Sequence, residues 1–236
     1  MLAGALLPGL ILHGVWQLAG GPSQWPRRYL RLVARIIGMR VRIIGVPLRG
    51  RVLFVSNHLS WLDIPILAGE TGAAFVSKAE VSGWPLIGFL ARQNRTVFIE
   101  RAERGSVRGQ ADALRTALSD GRPVALFPEG TTDGGTEVLP FRPSLLASLF
   151  PPLAGVTVQP VAIDYGEAGP DIAWVGDEPA LANARRILSR RGGTRVTLHF
   201  LAPLEPGNAG DRKALAAGAR GEIVAALASA RAHDQL

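Results

Sequence analysis

The chain has no cysteine, which excludes disulfides, thiolate nucleophiles and cysteine-based zinc sites. Histidine is nearly as scarce: His13, His58, His199 and His233 are the full set, so a multi-histidine metal site is not expected and no metal is assigned. Aromatics make up only 6% of residues, almost every cation is arginine, and no repeat or long low-complexity run is present. From Met1 to Pro26 there is no Asp, Glu, Lys or Arg at all. A cleaved signal peptide is disfavoured there, because no basic region precedes the apolar part.

What is present is apolar and basic. Hydrophobic residues reach 47%, the net charge is +7 over 236 residues, and the mean hydropathy is positive. That length supports one α/β domain with a full core. The charge favours anionic partners, either nucleic acid or an anionic lipid surface, and the planar fork of arginine suits phosphate in both. The uncharged N-terminus, the few aromatics and the lack of a recognition motif argue against nucleic acid.

Membrane contact is the stronger expectation. A spanning helix needs roughly 20 apolar residues, which residues 1–20 just supply, although Pro8, Gly4, Gly9 and Gly14 weaken a straight helix and favour dipping into one leaflet. In the segment that follows, Arg27, Arg31 and Arg35 repeat every four residues opposite a row of Leu30, Val33 and Ile37. That pattern predicts a basic amphipathic helix of the kind that lies in a headgroup layer; the alternative is a core hairpin with a solvated arginine face. The organisation expected is a membrane-associating segment over 1–44 and a main domain over 45–236. Arginines after the apolar segment put that domain on the cytoplasmic side of the inner membrane.

From residue 41 on, short Val/Ile/Phe-rich runs alternate with helical patterns. Strands are expected at 41–46, 51–56, 72–77, 95–100, 122–127, 156–163 and 194–200. Helices are expected at 60–69, 84–93, 105–120, 144–150, 179–191 and 211–231, with Asp211 as N-cap of the last. This order implies an α/β fold with a mostly parallel sheet covered by helices on both faces. Ligands bind such sheets beyond the carboxyl ends of the strands, which singles out residues directly after each strand. RVLFVS runs into Asn57-His58, with Asp63 five residues beyond the histidine, and GAAFVS runs into Lys78. RTVFIE precedes Arg101, and RPVALF precedes Pro128-Glu129-Gly130-Thr131. A base, two cations and an acid beside hydroxyls at one edge suit an anionic substrate whose hydroxyl must be activated. Taken alone, Asn57, His58, Ser60 and Asp63 also suit a plain turn.

Four ordered blocks resemble the glycerolipid acyltransferases: Asn57-His58 with Asp63, Phe98-Ile99-Glu100-Arg101, Phe127-Pro128-Glu129-Gly130-Thr131, and Val158-Gln159-Pro160-Val161. FVSKAEVSGWPLIG (75–88) adds to the likeness, which spans about residues 45–205. A lone histidine–aspartate spacing is weak; the same spacing with FPEGT downstream is specific. The resemblance is greatest to bacterial 1-acylglycerol-3-phosphate acyltransferases. It implies transfer of a fatty acyl group from acyl-CoA or acyl-carrier protein to the free hydroxyl of a lysophospholipid, giving phosphatidic acid, with no further cofactor. Another lysolipid acceptor, such as lyso-ornithine lipid, is the alternative.

The chemistry of the residues agrees. A glycerol hydroxyl needs a base, and imidazole, with an ordinary pKa of about 6.5, suits the task. Asp63 orients His58 and stabilises the imidazolium. A thioester is already activated, so no covalent acyl-enzyme is required. Arg101 is expected to clamp the acceptor's phosphate, with Lys78 as a second cation, and the resemblance implies that Glu129, Gly130 and Thr131 hold the acceptor directly or brace its loop. A serine hydrolase reading would use Ser60. Gly130 to Gly134 keeps the frame of a nucleophile elbow with Thr132 at its centre, which is read as coincidence. The resemblance has one departure: a Phe-basic-x-Gly turn is replaced by Phe141-Arg142-Pro143-Ser144.

Overall fold

The computed structural model describes residues 24–78, 96–99, 106–132 and 134–234. Among the described residues seven strands form one sheet: β1 (Met39–Ile44), β2 (Val52–Ser56), β3 (Ala74–Lys78), β4 (Val97–Ile99), β5 (Val124–Leu126), β6 (Thr157–Asp164) and β7 (Thr194–Phe200). Their order across the sheet is β1-β7-β6-β2-β5-β3-β4. Every neighbouring pair is parallel except β6 with β7. All seven expected strands are present, so the sheet is mostly parallel, and β1 with β7 runs against the other five.

The pattern of burial follows the pleat. β2 is buried along its whole length, yet its side chains alternate between two cores. Val52 and Phe54 join Leu62, Ile66, Leu67, Phe75, Ile163 and Leu198 on one face. Leu53 and Val55 join Leu114, Leu118, Val158, Leu215 and Ile223 on the other. The second face is covered by α3 (Ser106–Ser119) and α6 (Arg212–Asp234), the first by α2 (Asp63–Thr71) and α1 (Trp25–Ile36). Two shorter helices, α4 (Gly169–Ile172) and α5 (Ala180–Leu188), and a 3-10 helix at Pro143–Leu149 fill the connections. Asp211 caps α6 as expected, its Oδ1 accepting the N–H groups of Lys213 and Ala214, each at 2.8 Å. Those bonds, that to Ala214 first, hold its carboxyl below the usual range.

Pro160 sits inside β6 although it has no N–H to give. The β6–β7 ladder starts one residue later, at Val161 opposite Phe200, so that side of Pro160 is not asked for a donor. Gln159 does the local work instead. Its side chain accepts the N–H of Leu48 at 2.9 Å and donates to the carbonyls of Val46 and Leu201 at 3.0 and 3.1 Å.

The N-terminal part of the described chain differs from expectation in one respect. Helix α1 forms, but its apolar row is used within the protein: Leu30 and Ile37 pack on the α2-side core, and Tyr29 and Ala34 are buried. Gly69 of α2 permits the approach, since a Cβ there would lie 2.9 Å from the Arg31 backbone nitrogen. Arg27 donates to the Gly69 and Glu70 carbonyls and Arg31 pairs with Glu70 at 2.7 Å. These cations meet the partial negative charge at the C-terminus of α2. The sheet also starts at Met39, inside the segment assigned to the N-terminal part. Among the described residues no helix is long and apolar enough to cross a membrane. The apolar segment 1–23 and the helix expected at 84–93 lie outside the described residues.

Candidate functional site

The carboxyl ends of β2, β3, β4 and β5 share one edge, because these strands are mutually parallel. β2 ends into Asn57, whose amide docks onto β6: it accepts from Ile163 N at 2.8 Å and donates to Ile163 O at 2.9 Å. This buried side chain prolongs the β2–β6 pairing by one position and fixes where His58 begins.

His58 Nδ1 lies 2.8 Å from Asp63 Oδ2. The same oxygen accepts the N–H groups of Leu59 at 2.7 Å and Ser60 at 2.9 Å. Asp63 is the first residue of α2 and is fully buried, at a helix end that favours negative charge. An oxygen that already accepts two backbone N–H groups is an acceptor for the ring as well, which assigns the proton to Nδ1 and leaves Nε2 bare. The imidazole side chain is 18% exposed, and Nε2 has no protein partner among the described residues. Phe127, directly after β5, stacks on the ring with centroids 4.0 Å apart and planes 6° apart. Phe75 of β3 stacks behind Phe127 at 5.4 Å. The imidazole is thus fixed by a carboxylate at one nitrogen and an aromatic face beneath.

Tyr165 completes the arrangement. Its hydroxyl donates to the other Asp63 oxygen at 2.7 Å. Burial first, then the Asp63 charge and this bond, raise its pKa well above the usual phenol value, so it stays a donor throughout the working pH range. Sequence reasoning passed it over, although it directly follows β6, and inspecting the residue after each strand applies there too.

Glu129 is 2% exposed and faces inward. One oxygen accepts the backbone N–H of His58 at 2.9 Å and the other that of Leu139 at 3.2 Å. Of the two roles open to it, this geometry is bracing. Gly130 closes the turn through its N–H to Phe127 O at 3.1 Å. It has φ +72, and the Arg142 guanidinium lies where a Cβ would meet it at 3.3 Å. Thr131 is exposed beside it. Thr132 donates its hydroxyl to Trp174 O, and Ser60 is fully buried with its hydroxyl turned to Leu62 N. Neither has the setting of a nucleophile. Lys78 ends β3 opposite Ile99 of β4, which puts its backbone at the site edge. Arg101 lies outside the described residues.

Trp61 and Leu62 lie between His58 and Asp63. Leu62 is fully buried, and the Trp61 indole donates to Asn183 of α5 at 3.1 Å. Asn183 in turn bonds Glu178, which Arg186 holds through two further bonds. These bonds, Arg186 first, lower the Glu178 pKa to about 2. His199 lies on β7, on the far side of β6 from β2: it pairs with Ala162 across the sheet and lies 4.0 Å from Asp164. Among the described residues no group of three or more His, Asp or Glu is placed to hold a metal ion.

A bare imidazole nitrogen backed by a buried carboxylate, at the mouth of an apolar edge, has the makings of a general base for a hydroxyl. Comparison with known proteins defines the class. The family model described as Acyltransferase matches residues 40–164, and the chain belongs to that family, the lysolipid acyltransferases. It is 37% identical over 226 residues to the lyso-ornithine lipid O-acyltransferase of Brucella abortus, covering 89% of this chain and 84% of that one. It is 32% identical over 190 residues to the 1-acyl-sn-glycerol-3-phosphate acyltransferase of Neisseria meningitidis, covering 78% and 72%. The crystal structure of the 1-acyl-sn-glycerophosphate acyltransferase PlsC from Thermotoga maritima has the same fold. It superposes with a TM-score of 0.65 at 23% identity, over 87% of this chain and 81% of that one.

The geometry predicts a specific effect for Tyr165→Phe. Without the phenol bond, one Asp63 oxygen loses its donor and the carboxylate that orients His58 is held less firmly. kcat should fall by up to about tenfold, the equivalent of one hydrogen bond, with little change in acceptor KM. Steady-state kinetics measured beside a thermal melt check this; a lower Tm with wild-type kcat would contradict it.

Proposed function

We propose that this acyltransferase moves a fatty acyl group from a thioester to the hydroxyl of lyso-ornithine lipid, with His58 as general base. The observation that carries the chemistry is the His58–Asp63 pair with Nε2 open to the site. In the reaction, the acceptor oxygen attacks the thioester carbonyl while its proton passes to His58 Nε2. The tetrahedral intermediate then collapses, the carbon–sulfur bond breaks and the thiol leaves with a proton returned from His58. Asp63 stabilises the imidazolium between the two transfers. A positioned base contributes roughly 10²–10⁴-fold. The acyl donor is acyl-CoA or acyl-carrier protein, and no cofactor takes part.

The acceptor is supported by the higher identity to the relative named for lyso-ornithine lipid. A second reading, 1-acylglycerol-3-phosphate giving phosphatidic acid, is supported by the Neisseria relative and by the phosphate-clamping role assigned to Arg101 with Lys78. In the first reading those cations meet the ornithine carboxylate instead. Glu129 and Gly130 shape the turn beneath the acceptor, and Thr131 offers it an exposed hydroxyl.

Residues 1–44 associate with the inner membrane, the catalytic edge being cytoplasmic. The apolar segment 1–23 inserts, and an adjacent face supplies cations. Arg28 and Arg35 of α1 and Arg40 and Arg42 of β1 are exposed, beside Ile36, Ile43, Ile44 and Val46, which are 40, 41, 41 and 75% exposed. A surface hollow of about 260 Å³ lies among Arg31, Arg35, Arg40 and Glu70. Exposed arginine and isoleucine close together at this edge of the sheet suit the headgroup–acyl boundary of an anionic leaflet.

Transfer assays with both acceptors and both donors test the reaction. Wild type should acylate lyso-ornithine lipid, and His58→Ala should lose at least about 100-fold. Activity confined to 1-acylglycerol-3-phosphate would overturn the acceptor, and unchanged activity in His58→Ala would overturn the base. Co-sedimentation with vesicles tests the membrane face. Binding should be stronger to phosphatidylglycerol than to phosphatidylcholine vesicles, fall with salt and weaken in an Arg28, Arg35, Arg40, Arg42→Gln variant. Equal binding to both vesicle types would contradict it.

A further inference from the structure

Two arginines tie the C-terminal helix α6 to the segment 136–140: Arg231, exposed, donates to Thr136 O at 3.2 Å, and Arg220 holds the part that leads to the site. Arg220 Nε donates to Val138 O at 3.2 Å and Leu139 O at 3.1 Å, and its NH2 group donates to Val138 O at 2.7 Å. Residues 136–140 belong to no helix or strand, so no ladder satisfies these carbonyls and the rigid guanidinium fork does so instead. Val138 and Phe141 on either side are buried in the α6-side core. The peptide between them is therefore held from two directions. The N–H of Leu139 then points at Glu129 Oε2, and Glu129 Oε1 takes the N–H of His58. Three links join a helix far along the chain to the backbone of the imidazole.

We propose that Arg220 is a positioning residue for the acyl transfer: it fixes the Leu139 peptide, which aims the Glu129 carboxylate, which fixes the His58 main chain. The proposal rests on the reading of His58 as the base. It assigns the FPEG acid a partner that no motif contains, because the arginine lies 81 residues beyond Leu139. Arg115 makes a useful contrast. It also gives its guanidinium to carbonyls outside the sheet, Ser148 O in the 3-10 helix at 3.1 Å and Pro151 O at 2.9 Å, and these bonds lie outside the path from Leu139 to His58.

A double-mutant cycle tests the link. Arg220→Gln should lower kcat about tenfold, the scale of one or two lost hydrogen bonds, with little change in acceptor KM. Arg220→Lys, which keeps the charge but not the fork, should recover part of it. The double variant with Glu129→Gln should be no slower than Glu129→Gln alone, since both break one chain. Arg115→Gln should lower Tm and leave kcat as it is. Losses that multiply in the double variant, or wild-type kcat in folded Arg220→Gln, would overturn the proposal. Amide hydrogen exchange separates this failure from failure of the base. In Arg220→Gln the Leu139 and His58 amides should exchange faster than in wild type, whatever the reaction proves to be. Unchanged exchange at both would also overturn it.

Discussion

The buried carboxylate of Asp63 is the constraint around which the site is organised. A charge removed from water must be met by donors, and four converge here: the ring of His58, the N–H groups of Leu59 and Ser60, and the hydroxyl of Tyr165. Three come from the turn between β2 and α2, and one from the residue directly after β6. Satisfying Asp63 therefore fixes the course of the chain after β2, the start of α2 and the distance between two strands. The base inherits that precision, because its own Nδ1 is one of the four donors.

Around this centre, polar side chains splice backbone where the sheet ends. Asn57 extends the β2–β6 pairing, Gln159 bridges three loop groups beside Pro160, and Glu129 joins the turn after β5 to His58. All three are 2% exposed. Each satisfies backbone donors or acceptors that regular structure would otherwise leave open. Phe127 and Phe75 supply the apolar floor. The result is an imidazole with one nitrogen engaged and one available, on a scaffold covered on both faces.

Much of this was legible in the sequence because the information was local. Short Val- and Ile-rich runs gave the strands, and the spacing of His58 and Asp63 gave the pair. FPEGT separated that pair from an ordinary turn. What escaped depended on packing between distant segments. Tyr165 reads as one aromatic after an aspartate until β6 is placed beside β2. The apolar row of α1 has the same period whether it meets lipid or α2, and only the close approach at Gly69 decides which it meets. Glu129 reads as a contact for substrate or a brace with equal ease. Its burial under Leu139 and His58 gives the brace. Lys78 is carried to the right edge by β3, while Arg101 lies outside the described residues.

Asp63 keeps the proton of the neutral His58 ring on Nδ1, so that Nε2 is free to accept one. Nitrogen-15 chemical shifts of histidine-labelled protein measure this directly, with His58 assigned by its absence in His58→Ala. At a pH where the ring is neutral, the account predicts a protonated Nδ1 and a bare Nε2 for His58. A neutral ring carrying its proton on Nε2 would contradict it.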